Sequence, residues 1–126
     1  MVISIPLQIA KREISPGVVV LEMTGRIHSG PDCQRIGQEV EQLLGRNERR
    51  LIFDLSRVSF VDSGGLGEIV KCFSKLKKSG GSLRLAGVQG MIATVIKITQ
   101  VDKVIEIYPT AVEAAGNFLP EGEGGG

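Results

Sequence analysis

The sequence predicts an α/β domain: a mostly parallel mixed sheet with an antiparallel strand at its N-terminal edge, flanked by about four helices. Three observations lead there. Near the N-terminus a stretch of alternating apolar residues is followed, across a tight turn, by a β-branched run, which makes an opening hairpin. Leu51-Ile52-Phe53 is an uninterrupted apolar run, the composition of a parallel strand covered on both faces. Elsewhere apolar residues recur at helical spacing between short strand-like segments, so the order reads β-β-α-β-α-β-α-β-α.

Ile3, Ile5, Leu7 and Ile9 alternate with Ser4, Pro6, Gln8 and Ala10, which predicts a strand over 3–12. Pro6 has no N–H to give a ladder and pushes that strand to the sheet edge. Ser15-Pro16-Gly17 supplies the turn, and Val18 to Met23 pairs back. Beyond the loop Gly25 to Gly30, Pro31 suits a first helical turn. Cys33, Ile36, Val40, Leu43 and Leu44 then form one stripe, and Gly45 stops the helix. Leu51-Ile52-Phe53 follows as the centre of the sheet. Leu66, Ile69, Val70, Phe73 and Leu76 mark a second helix, with Glu68, Lys71, Lys75 and Lys78 facing away and Gly80-Gly81 ending it. Ser82 to Ala86 is a short strand. Val88, Met91, Ile92, Val95 and Thr99 indicate a third helix, its apolar side widened by Ile96 and Ile98. A last strand around Val104 to Tyr108 and a short helix from Thr110 complete the domain, with Tyr108 and Phe118 expected to pack in the core. Residues 1–119 are thus read as one domain and 120–126 as a disordered Gly-rich tail.

A chain of 126 residues fits one domain. Its 15 Lys plus Arg against 14 Asp plus Glu leave a formal charge of +1, too weak a field for generic nucleic-acid or anionic-membrane binding. The basic groups Lys75-Lys77-Lys78 and Arg49-Arg50 lack interleaved aromatics and read as solvated faces. No apolar run approaches the roughly 18 residues of a membrane span, and the N-terminal stretch has the wrong flanks for a secretory signal, so a cytoplasmic protein is expected. Cys33 and Cys72 lack metal or redox spacing and read as packing residues. Neither a metal nor another cofactor is expected.

In an open α/β sheet, functional loops lie beyond the carboxyl ends of the strands. Thr24 to Gly30, Asp54 to Gly67 and Gly87 with its neighbours are expected to converge there. The middle segment joins the buried strand to the second helix. Asp62 and Ser63 stand at the helix start, where a side-chain oxygen takes a backbone N–H left unpaired. Gly64, Gly65 and Gly67 each weaken a helix by roughly 1 kcal/mol relative to alanine, a composition that capping does not favour. Small residues around Ser63 let another protein's cleft reach the hydroxyl, and a phosphate there meets free N–H groups and the positive helix end. Ser63 is therefore the candidate phosphorylation site.

Asp54-Leu55-Ser56, Val58, Phe60 and Asp62-Ser63-x-Gly65-Leu66-Gly67 resemble the central signature of STAS domains, closest to bacterial anti-sigma factor antagonists. The resemblance implies a STAS-like fold and a non-enzymatic binding protein. Such a protein binds a serine-kinase anti-sigma factor when unphosphorylated, releases it when phosphorylated on the motif serine, and is reset by a metal-dependent serine phosphatase. On that resemblance Ser63 is the acceptor, Asp62 its neighbour, Gly65 and Gly67 open the helix start, and Leu66 anchors the helix; these residues, with Gly64 between them, are the expected partner-binding surface. Two positions depart from the pattern. Gly64 stands where many members have Ser or Thr, leaving one hydroxyl in the motif. Gly25-Arg26-Ile27-His28 stands where Gly-x-Leu-Asp is common, replacing acid with base and adding Arg26 and His28 to the partner-binding surface. The superfamily also includes scaffold subunits of signalling assemblies and of lipid-transport complexes, in which the serine need not be phosphorylated.

Two other readings, a serine hydrolase with Ser63 as nucleophile and a nucleotide-binding protein, fit less well. A nucleophile elbow wants Gly two positions before the serine, where Val61 stands, and His28 is the sole histidine. Gly65-x-Gly67 meets Val70 at the third position of a dinucleotide fingerprint, with no ribose-binding acid after the next strand.

Overall fold

A computed structural model of the protein describes residues 5–118. Its elements are β1 (Gln8–Ser15), β2 (Val18–Ile27), α1 (Pro31–Gly45), β3 (Arg50–Val61), α2 (Ser63–Lys78), β4 (Ser82–Ala86), α3 (Gly90–Thr99), β5 (Ile107–Tyr108) and α4 (Ala111–Ala115), with a 3-10 turn at Val101–Lys103. Strand order in the five-stranded sheet is β1-β2-β3-β4-β5; β1 runs antiparallel to β2, and the other neighbours are parallel.

Strand alternation divides the core into two layers. Val19, Leu21, Leu51, Phe53, Leu83 and Leu85 face a main core completed by α1, α2 and α3. Their neighbours Val18, Val20, Ile52 and Ala86 face Ala111, Ala114 and Phe118 on the side of α4. Leu51-Ile52-Phe53 is thereby covered on both faces, which is why it shows no polar alternation. Phe118 is buried, and with half-buried Tyr108 it brackets the Arg84 guanidinium at 4.1 and 5.2 Å. Cys72 is buried, Cys33 only partly.

Several boundaries differ from expectation. β1 starts at Gln8, so residues 5–7 of the expected strand lie outside it, and residues 3 and 4 lie outside the described residues; Pro6 cannot donate to β2, and Ile5 is 75% exposed while Leu7 is buried. At its other end β1 continues to Ser15, so the turn shrinks to Pro16-Gly17, with Gly17 at φ 77°. β2 continues to Ile27 and β3 to Val61, so Asp54–Val61 is strand rather than loop. The ladder explains why this is hard to read: from Glu22↔Asp54 to Thr24↔Arg57, and again from Gly25↔Val58 to Arg26↔Phe60, β3 carries an extra residue. Its buried positions Leu55, Val58 and Val61 therefore fall three apart instead of two. In α3 the buried pair is Ile92 of the expected stripe and Ile96 of its widened side, while Met91 of the stripe and Ile98 of the widened side are exposed. The expected strand from Val104 is only Ile107–Tyr108, because the 3-10 turn takes up the preceding chain and leaves Val104 exposed. The proposed tail at 120–126 lies outside the described residues. Among the described residues no helix is long and apolar enough to cross a membrane.

Candidate functional site

At the carboxyl edge of the sheet, β3 ends on Val61 and the chain turns through Asp62 into α2. Asp62 has extended backbone, as an N-cap requires, and its Oδ1 accepts the Gly65 N–H at 2.7 Å. Its Oδ2 accepts the Ser29 N–H at 2.9 Å, and the Ser29 hydroxyl lies 3.2 Å from both oxygens. The Asp62 N–H in turn donates to the Ile27 carbonyl at 3.2 Å. One carboxylate thus fastens the β2–α1 loop to the start of α2.

The Ser29 amide, and after it the Gly65 amide, hold the Asp62 carboxyl below the usual carboxylate range. A depressed folded value means that this contribution to stability is present above the unfolded carboxyl's pKa. It is lost as pH falls through the folded one, so the loop attachment weakens only in acid.

Ser63 is the first residue of α2 and is exposed. Among the described residues nothing accepts the Ser63 or Gly64 N–H, so two donors at the positive helix end stand beside its hydroxyl. The glycines that follow have three different reasons. A Cβ on Gly64 would lie 1.9 Å from the Ser29 Oγ, so Ser29 fills the space a side chain at 64 would need. A Cβ on Gly65 would lie 2.8 Å from the Ile27 Cγ2 and 2.9 Å from the Ile27 carbonyl oxygen; Gly65 is buried and lets α2 approach β2. Gly67 is exposed with nothing within 4 Å of a Cβ, and it alone matches the expectation of bare, accessible backbone. Leu66 is half-buried against the main core.

Ser29 and Cys33 are the members of this site that sequence reasoning missed. The Cys33 thiol donates to the Gly64 and His28 carbonyls, each at 3.4 Å. Burial, then Glu68, pushes its pKa up, and the same two causes take Cys72 up to about 12, so both stay thiols at neutral pH. Ser29 has no local motif. Its only signal is membership of the Thr24 to Gly30 loop beside the departure at Gly64. Gly64→Ala should displace the Ser29 hydroxyl and cost about 1–3 kcal/mol by overpacking, whereas the same change in a Ser29→Gly background should cost little. Chemical denaturation of the four proteins of that cycle checks this, and additive effects would contradict it.

Arg26 and His28 sit one strand away, on the Phe60 ring: the Arg26 guanidinium is 5.9 Å and the His28 ring 5.3 Å from its centre. The His28 N–H donates to Asp32 Oδ2 at 2.9 Å, and its Nδ1 lies 3.4 Å from the same oxygen. Among the described residues neither side chain makes a hydrogen bond or ion pair to Ser63. The third expected loop meets the middle segment at its start, away from Ser63: Gln89 donates to the Ser56 carbonyl at 3.0 Å, and Gly87, at φ 70°, lies against Ser56. Among the described residues no group of three or more His, Cys, Asp or Glu side chains is placed to hold a metal.

This site can be set beside those of known proteins. The STAS domain family matches residues 10–114. A Thermotoga maritima protein, provisionally named an anti-sigma factor antagonist, is 30% identical over 74 residues, 59% of this chain; the match spans 66% of that relative, just under two thirds of its length. The anti-sigma F factor antagonist of Paenibacillus polymyxa is 24% identical over 99 residues, covering 78% of this chain and 84% of that protein. In fold, the chain is similar to the anti-sigma factor antagonist SpoIIAA in its unphosphorylated form, with a TM-score of 0.68, 18% identity and coverage of 86% of this chain and 94% of that one. SpoIIAA from Bacillus has also been solved in the phosphorylated form, with the same TM-score of 0.68 and identity of 18%, over 85% of this chain and 96% of that one. A family match over most of the chain, on a fold whose second helix opens at Asp62-Ser63, means that this protein belongs to the STAS domain family.

Proposed function

We propose that this protein is an anti-sigma factor antagonist acting in the cytoplasm through its STAS domain, without enzymatic activity of its own. Unmodified, it binds a serine-kinase anti-sigma factor through Asp62, Ser63, Gly64, Gly65, Leu66 and Gly67, with Arg26 and His28 at the margin. Phosphorylated on Ser63 it lets go, and a metal-dependent serine phosphatase restores binding. The observation that carries this reading is the exposed Ser63 hydroxyl at the first position of α2. In the transfer, Ser63 Oγ bonds to the γ-phosphorus of ATP, the bond to the β-phosphate oxygen breaks, ADP leaves and the hydroxyl proton passes to the kinase. The names of the relatives and the existence of a fold neighbour in both phosphorylation states support the same reading.

Incubation with the paired serine kinase and ATP, followed by mass spectrometry of the peptide carrying Ser63, is the test. One added phosphoryl group at Ser63 is expected. No transfer, or transfer to Ser59 or Ser29 with Ser63 untouched, would refute the assignment.

A further inference from the structure

The β1–β2 ladder stops early, and the reason is local. Its last pair is Gln8↔Thr24, and the same register carried on would set Pro6 against Arg26. Proline has no N–H, and residues 5–7 leave the sheet. β2, however, continues to Ile27 on its β3 side. The Gly25 carbonyl faces the Ser59 hydroxyl at 3.5 Å, and the Ile27 carbonyl accepts from Asp62, so both point toward β3. Strand alternation then turns the N–H and C=O of Arg26 the other way, where among the described residues the ladder has no partner for them. On that side lies a groove of about 550 Å³ between Ile5–Gln8 and the Thr24–Arg26 stretch with His28.

The lining tells what fits. Arg26 brings a cation and His28 a hydrogen-bonding ring, Thr24 and Ser59 bring hydroxyls, and exposed Ile5 offers apolar surface. Asp32 is the lone carboxylate in the lining, and its Oδ2 is already engaged by the His28 N–H. We propose that this groove accepts an extended acidic peptide from a partner protein. The peptide's backbone pairs with Arg26 as a short added strand in the place β1 vacates, and its carboxylate meets the Arg26 guanidinium. This goes beyond the Ser63 switch and does not require it.

The probe is the capped peptide Ac-Val-Thr-Glu-Val-Thr-NH2, titrated to about 1 mM into the nitrogen-15-labelled full chain, with Lys in place of Glu and an N-methyl-Glu version as controls. The acidic peptide should shift the amides of Gly25, Arg26, His28 and Ser59. The Lys peptide and the N-methylated peptide should bind at least about tenfold more weakly. Arg26→Glu should reverse the charge preference. Pro6→Ala, which returns the missing donor, should close the edge and weaken binding. No shift, equal shifts with the acidic and basic peptides, or shifts confined to Ser63 and Gly64 would overturn the proposal. So would the same amides moving in a Glu121→Lys/Glu123→Lys chain without peptide, which would assign the groove to the chain's own C-terminal segment. Because no kinase is present, failure here leaves the phosphorylation result standing, and success does not depend on it.

Discussion

Ser63→Asp is expected to weaken binding to the serine-kinase partner by about a hundredfold or more, a loss of about 2.7 kcal/mol, while Ser63→Ala binds whether or not ATP is present. The hydroxyl is exposed, so a partner can close over it, and the site already holds one carboxylate at Asp62. A second negative charge brought under that contact has to be desolvated beside the first, a cost of several kcal/mol unless the partner supplies a cation. Phosphate, at roughly −1.5 to −2 charges, imposes the same cost more strongly. The substitution should not unfold the protein. An anion in the first turn of α2 faces the positive helix end and contributes about 0.3–1 kcal/mol in favour of the helix. A melting temperature equal to or above wild type, together with lost affinity in surface plasmon resonance, is the expected pair of results. Equal affinity of wild type, Ser63→Asp and Ser63→Ala would contradict the switch.

The second large effect separates two glycines a single residue apart. Gly65→Ala should destabilise the domain by about 1–3 kcal/mol, because the new methyl meets a backbone carbonyl that cannot move aside. The contacts are the Ile27 oxygen at 2.9 Å, the Ile27 methyl at 2.8 Å and the Val61 methyl at 3.1 Å. Gly67→Ala enters open space and should stabilise the helix by about 0.5–1 kcal/mol. Urea denaturation of the two variants gives opposite signs on this account. Equal shifts in the same direction would mean that Gly65 is not set by the approach of α2 to β2. The comparison also bears on function: if Gly67→Ala keeps the fold but weakens the partner, bare helix surface at that position is part of the docking face.

Much of this architecture is written in apolar spacing. The stripe Ile36-Val40-Leu43, the run Leu51-Ile52-Phe53 and the spacing Ile69-Leu76 are core positions in the structure because burial on one or both faces imposes those periods. The second half of β3 escaped because two bulges shift its buried residues to every third position, a pattern that strand periodicity does not contain. α3 is apolar on two sides, so spacing alone did not distinguish the face of Ile92 and Ile96 from that of Met91 and Ile98.

The site was legible where one segment carries it. Asp62 caps α2 as its residue type and position require, and Ser63 emerges exposed. What the sequence concealed is the tertiary part. Ser29 lies thirty-three positions before Asp62 in the chain, and only folding shows that its amide and hydroxyl hold that carboxylate and occupy the space Gly64 leaves open. Three neighbouring glycines that look alike in composition turn out to serve a steric accommodation, a close helix–strand approach and an open surface.

The most direct test of the central claim is calorimetric titration of the serine-kinase partner with the same preparation of this protein before and after stoichiometric phosphorylation of Ser63. The account predicts tight binding by the hydroxyl form and binding at least about a hundredfold weaker by the phosphorylated form, restored when the phosphoryl group is removed. Indistinguishable isotherms for the two forms would contradict it.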